Sequence, residues 1–121
     1  MAASTANLIR TAVVGLQQEV PALANLKLTF GLELRGRGDV QLYRVELPGP
    51  QISKGFADDE RIHVSVPRSH FNELAADGSL RHWHEAYDHG HVKVEGDPSI
   101  QKLVGQVIAR TEARGQLRKA R

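Results

Sequence analysis

The clearest pattern in the chain is strict alternation. Leu26, Leu28, Phe30, Leu32 and Leu34 alternate with Lys27, Thr29, Gly31, Glu33 and Arg35. A period of two predicts a strand with one apolar face and one wet face. The stretch "GRGD" at 36–39 follows, and its glycines predict a hairpin turn. Its Arg-Gly-Asp tripeptide is read as part of that turn rather than as an adhesion signal. The return strand carries Val40 and Leu42, then Tyr43, Val45 and Leu47. The apolar phase slips between Leu42 and Tyr43, which predicts a bulge. "PGP" at 48–50 marks another turn, and a short strand follows around Ile52. Ile62, Val64 and Val66 alternate with His63 and Ser65 as a fourth strand. Four strands in succession predict an antiparallel meander.

Elsewhere the period is helical. Thr5 can cap a helix striped by Leu8, Ile9, Ala12, Val13 and Leu16, which Pro21 ends or disrupts. Pro67 suits the first position of a helix carrying Phe71, Leu74 and Ala75 on one face, stopped by the Asp-Gly at 77 and 78. Ser79 can cap the next helix, where Leu80, Trp83 and Tyr87 share a face and Gly90 ends it. Val92 and Val94 predict a fifth short strand. Asp97 and Pro98 then form a cap and a first helical position. Ile100, Leu103, Val104, Val107 and Ile108 make the stripe of a last amphipathic helix. The expected fold class is α+β: a five-stranded, mainly antiparallel sheet covered by helices, in two layers.

Composition narrows the function classes. The 121 residues suit a single domain over 1–121, and 40% hydrophobic with 25% charged residues is ordinary for a globular chain. There is no cysteine, so disulfides, thiolate nucleophiles and cysteine-based zinc sites are excluded. The start "MAASTANLIR" lacks a secretory pattern, and the expected location is cytoplasmic. The formal charge is +2, and protonation of all six histidines would raise it to +8. Attachment to anionic membranes is therefore expected to strengthen on acidification. No stacking motif accompanies the basic residues, so nucleic acid is not an expected partner. Residues 112–121 are read as a basic, solvated tail.

The stretch "HWHEAYDHGH" at 82–91 places four histidines in ten positions. On a helix, His82 and His84 lie on the order of 200° apart, and His82 and His89 about 10 Å apart along the axis. Neither pair can share a metal. His84/Asp88 and Glu85/His89 are spaced to chelate, but each offers two ligands where structural zinc wants four. The reading is a polar helix face, with no metal and no cofactor expected. No nucleophile elbow surrounds Ser65 or Ser69, and the carboxylates of Asp58, Asp59 and Glu60 read as a solvated turn. No catalytic residue is expected.

"RIHVSVPRSHFNELAADGSL", a short amphipathic helix and "HGHVKVEGDPSIQKLVGQVI" together resemble the sterol carrier protein 2 family. The glycine-bounded strand Gly90, Val92, Val94, Gly96 and Asp97 before the last helix is the most specific part. "LTFGLELRGRGDVQLYRVEL" is similar to the family's central hairpin, and the resemblance is strongest over residues 26–110. It implies a five-stranded sheet under helices, enclosing an apolar tunnel. The implied function is noncatalytic binding or transfer of a sterol, fatty acid or fatty acyl group. Candidate wall residues are Phe30, Leu32, Leu34, Ile62, Val64, Phe71, Leu74, Trp83, Tyr87, Leu103 and Val107. Trp83 and Tyr87 suit a mouth, having apolar bodies and polar tips. Arg68 or Arg81 could meet a carboxylate head group, although each reads first as a surface arginine. The expected partner is a lipid or other apolar small molecule, with room for transient membrane contact and for a homodimer. The alternative is an interaction or dimerisation module of the same fold with a closed interior.

Overall fold

The computed structural model describes residues 5–77 and 80–119. The elements are α1 (Thr5–Glu19), α2 (Pro21–Ala24), β1 (Leu28–Arg35), β2 (Val40–Leu47), β3 (Gln51–Lys54), β4 (Ile62–Pro67), α3 (Arg68–Asp77), α4 (Leu80–Asp88), β5 (Lys93–Gly96) and α5 (Pro98–Lys119). The fold is α+β, with one five-stranded sheet in the order β3-β2-β1-β4-β5.

β1 is the centre of that sheet. Phe30, Leu32 and Leu34 oppose Val45, Tyr43 and Gln41 across the antiparallel β1–β2 ladder. On its other side the same three residues register with Ile62, Val64 and Val66 of β4. That second pairing is parallel, which corrects the expected meander. The alternation of β4 dictates which face is apolar, but it carries no information about which strand is its neighbour or in which direction it runs. β5 closes the far edge antiparallel to β4, with Val94 opposite Val64.

Parallel pairing requires the chain to cross from β3 over β2 and β1 to reach β4. Residues 55–61 make that passage on the outer face. Asp59 takes a bidentate bond from Arg44 of β2 at 3.0 and 2.6 Å, and the Arg61 amide donates to the Thr29 carbonyl at 2.9 Å. The Glu60 carboxylate sits where a side chain on Gly31 would otherwise project. Glycine in mid-strand normally weakens a sheet; here it clears the path for the crossing.

The expected bulge in β2 is absent. Pairing runs unbroken from Val40 to Leu47, so Tyr43, Val45 and Leu47 face inward while Leu42 lies on the outer face. Val40, at the strand's open end, is 54% exposed. The phase slip thus marks an apolar residue on the outer face, not an inserted one.

Helices cover the inner face. Ile9 and Ala12 of α1, Phe71, Leu74 and Ala75 of α3, and Ala86 of α4 join Leu28, Leu32, Leu34, Val45, Ile62 and Val66 in one buried cluster. Thr5 is within α1 rather than capping it, and Pro21 opens α2 instead of continuing α1. Pro67 ends β4, and α3 begins at Arg68. The expected cap Ser79 and stop Gly78 lie outside the described residues. A cap for α4 comes from elsewhere: the Leu80 amide donates to Glu19 of α1 at 2.6 Å, placing a carboxylate at the helix's positive end. Asp97 does cap α5, accepting from the Ser99 amide at 2.9 Å. α5 continues to Lys119, so the basic segment is helical to that point. No helix among the described residues is long and apolar enough to cross a membrane.

Phe71 is nearly fully buried, at 2% exposure, and meets Trp83 edge-on at 6.1 Å between centroids. Phe71→Ala is expected to lower stability by about 3–5 kcal/mol in denaturant unfolding. A loss under about 1 kcal/mol would mean that this interior is not close-packed.

Candidate functional site

The cover over the sheet is uneven. α1 and α3 place fully buried side chains on β1, β2 and β4. Partly buried apolar residues border this core on the α1–β3 side (Leu8, Val13 and Ile52, with Leu26) as well as toward β5. Phe30, Val64, Trp83, Val94 and Ile100 pack against the core while remaining partly exposed. These five residues, from β1, β4, α4, β5 and α5, are the candidate apolar seam. Tyr87, one turn beyond Trp83 on α4, is 51% exposed, and Leu103 of α5 is 42% exposed. No described residue of α5 is fully buried; Val104, Val107 and Ile108 are half-buried.

The candidate wall residues therefore fall into three groups. Leu32, Leu34, Ile62, Phe71 and Leu74 lie in the closed core. Phe30, Val64 and Trp83 border the seam. Tyr87 and Leu103 face solvent, and Val107 is half-buried on α5 outside the core cluster. Val94 and Ile100 also border the seam. Their apolar periodicity was visible in the sequence, but the pairing of Val94 with Val64 follows only from the β4–β5 register, and the packing of Ile100 on the core only from the fold. Arg68 pairs with Asp39 at 3.0 Å and Arg81 with Glu85 at 3.1 Å, so each guanidinium already has a carboxylate. The side chains grouped here as the seam are apolar.

His70, His89 and His91 form one group, and His84 has acidic partners instead. His91 stacks on His70 of α3 at 4.1 Å between centroids, and His89 meets His91 edge-on at 6.2 Å. His84 Nδ1 donates to Glu112 of α5 at 2.7 Å, and its Nε2 lies 3.6 Å from Asp88. The bond to Glu112 outweighs partial burial and raises the His84 pKa above its ordinary value. Among the described residues, no group of three or more histidine, aspartate or glutamate side chains could hold a metal ion.

A second polar cluster lies on the outer sheet face. His63 Nε2 meets Glu33 at 3.0 Å and its Nδ1 meets Glu60 at 3.1 Å, while Ser65 donates to Glu33 at 3.2 Å. Only the imidazolium can donate from both nitrogens at once. Burial pulls His63 toward the neutral form, but the bonds it donates to Glu33 and Glu60 outweigh it and raise its pKa. The bond from His63 is in turn the main cause that lowers the Glu33 pKa, against partial burial. Sequence reasoning missed this cluster because Glu33 and His63 become neighbours only through the parallel β1–β4 pairing.

Solved structures share this architecture. The palmitated SCP2L2 of Aedes aegypti, determined by solution NMR, aligns over 83% of this chain and 93% of that chain, with a TM-score of 0.58 and 17% identity. The sterol carrier protein domain 2 of Helicoverpa armigera aligns over 87% of this chain and 85% of that chain, with a TM-score of 0.60 and 8% identity. The chain has the sterol carrier protein 2 fold. A double mutant of the sec-alkyl sulfatase PisA1 carries the sterol-carrier arrangement as one part of a longer chain. There the alignment spans 89% of this chain but 16% of that one, with a TM-score of 0.55 and 18% identity. No family model and no curated protein matches the sequence.

The His63 cluster gives a pH signature. The raised His63 pKa makes its contribution complete below the ordinary imidazole value of 6.5 and lost as pH rises through the folded value. The lowered Glu33 pKa makes its contribution complete above the ordinary carboxyl value of 4.5 and lost as pH falls through the folded one. Both are present between 4.5 and 6.5. His63→Gln is expected to cost about 1–3 kcal/mol at pH 6, with the gap to wild type shrinking toward pH 9. A gap constant with pH would contradict the ionic pairing.

Proposed function

We propose that this protein is a noncatalytic member of the sterol carrier protein 2 family that binds and transfers a lipid. The seam walled by Phe30, Val64, Trp83, Val94 and Ile100 carries the reading. These residues lie at the boundary of a well-packed core yet leave apolar surface open, and an acyl chain or sterol would complete the burial. Burying about ten methylenes contributes about 8 kcal/mol, which corresponds to micromolar affinity before ordering costs. The palmitated state of the Aedes aegypti protein supports an acyl ligand for this fold. Tyr87 and Leu103, exposed on α4 and α5, would meet the bilayer in a transient membrane contact during exchange.

A second reading has its own support. The sulfatase carries this fold as part of a longer chain, and Phe56, on the crossing loop, is 73% exposed. In that reading the domain is an interaction or dimerisation module with a closed interior. A dimer that persists in light scattering across dilution, without any bound lipid, would favour it.

Mass spectrometry of the solvent extract of natively purified protein tests the first reading. The expected result is an apolar ligand near one per chain. Val94→Asp, which puts a carboxylate in the seam, should weaken displacement of a fluorescent fatty acid by more than about tenfold. Neither a co-purifying lipid nor any displacement would overturn the proposal.

A further inference from the structure

The two ends of α5 are held by different chemistry. Its start is clamped. Asp97 caps the helix, bonds the Arg61 guanidinium at 2.7 Å, and donates its amide to the Arg61 carbonyl at 3.0 Å. Gln101 adds a bond to the Gly96 carbonyl at 3.1 Å. Gly96 has φ of 125°, and a Cβ there would lie 2.6 Å from the Arg61 carbonyl oxygen. This junction tolerates only glycine, so the helix leaves β5 in a fixed place. Beyond it, α5 packs chiefly against β5.

Farther along, the bond from His84 to Glu112 ties α5 to α4. Fifteen residues separate Asp97 from Glu112, about 22 Å along the helix at 1.5 Å per residue. Ile100, Val104, Ile108 and Glu112 follow one another at intervals of four, so the carboxylate continues the apolar stripe. The bond made there holds the far part of α5 against α4. Ile100 alone of that stripe packs against the core cluster, while Val104 and Ile108 remain half-buried.

We propose that α5 is a hinged cover over the lipid seam, and that the His84–Glu112 pair is its protonation-controlled latch. The inference rests on the seam being the lipid site. The charged groups facing His84 are Glu112 from α5 and Asp88 on its own helix; Arg81, one turn earlier on α4, is engaged by Glu85. Both facing groups are acids, so both favour the imidazolium. Below the ordinary imidazole value of 6.5 the latch is made and the cover closed. As pH rises through the raised folded value, His84 loses its charge, the latch weakens and the cover opens more often. Because the pair is partly exposed, the effect is modest.

Hydrogen–deuterium exchange of the full chain, corrected for intrinsic rates, reads the cover directly. Protection of amides 104–112 should fall roughly two- to fivefold between pH 6 and pH 8.5 in the wild type. His84→Gln and Glu112→Gln should each show the lower protection already at pH 6, with no further pH trend. His89→Gln, in the turn just after α4 and outside the latch, should keep the wild-type trend. The release rate of a fluorescent fatty acid should rise by the same factor in the two latch variants. Protection that is independent of pH and of both latch substitutions would overturn the latch, whatever the protein binds. A latch seen in exchange, in a protein that binds no lipid, would uphold the latch and overturn the lipid reading of the seam.

Discussion

The structure depends on β4 lying parallel to β1. That pairing brings Ile62, Val64 and Val66 beside Phe30, Leu32 and Leu34 and makes the apolar inner face three strands wide at its centre. It also forces the chain across the outer face between β3 and β4. Gly31 yields room for Glu60, Arg44 holds Asp59, and His63 joins Glu33 to Glu60. The outer face is thus fastened by charge and the inner face by burial. Each arrangement uses the alternation of the same strands.

Once the inner face exists, helices must cover it. α1 and α3 do so with fully buried side chains, and their contribution resembles that of any close-packed interior. α4 and α5 cover it less completely. Apolar surface left open to water forgoes about 25 cal/mol per Å², so a half-open seam is a cost to the ligand-free fold. In the proposed function a lipid that fills the seam would remove that cost. The sterol carrier protein 2 fold is shared with the Aedes aegypti and Helicoverpa armigera structures at low identity.

The sequence made the elements legible because each has a strong period. β1 and β4 alternate, α1 and α3 carry stripes, and the Gly96–Asp97–Pro98 junction announces a turn, a cap and a first helical position. Strand order was not legible. Alternation assigns residues to faces, and the meander assumed that successive strands are neighbours. Leu42 was misjudged for a related reason: an apolar residue on the outer face looks like a break in phase. Pro67 fits a strand end as well as a helix start, and its register with Arg35 of β1 places it on the strand. Among the candidate wall residues, the sequence identified apolar positions but could not separate Leu34, buried in the core, from Trp83 at the seam. That difference depends on how closely α4 and α5 approach the sheet. His63 with Glu33, and His84 with Glu112, are pairs about thirty residues apart in sequence; no local pattern joins them.

Trp83 is the chain's only tryptophan and borders the seam between Phe71 and solvent. Its fluorescence, titrated with a fatty acid brominated along the acyl chain, therefore tests the lipid seam most directly. Bromine quenches on close approach, so the account expects saturable quenching at about one acyl chain per protein, reversed by unlabelled fatty acid. Unchanged emission through saturating ligand would contradict it.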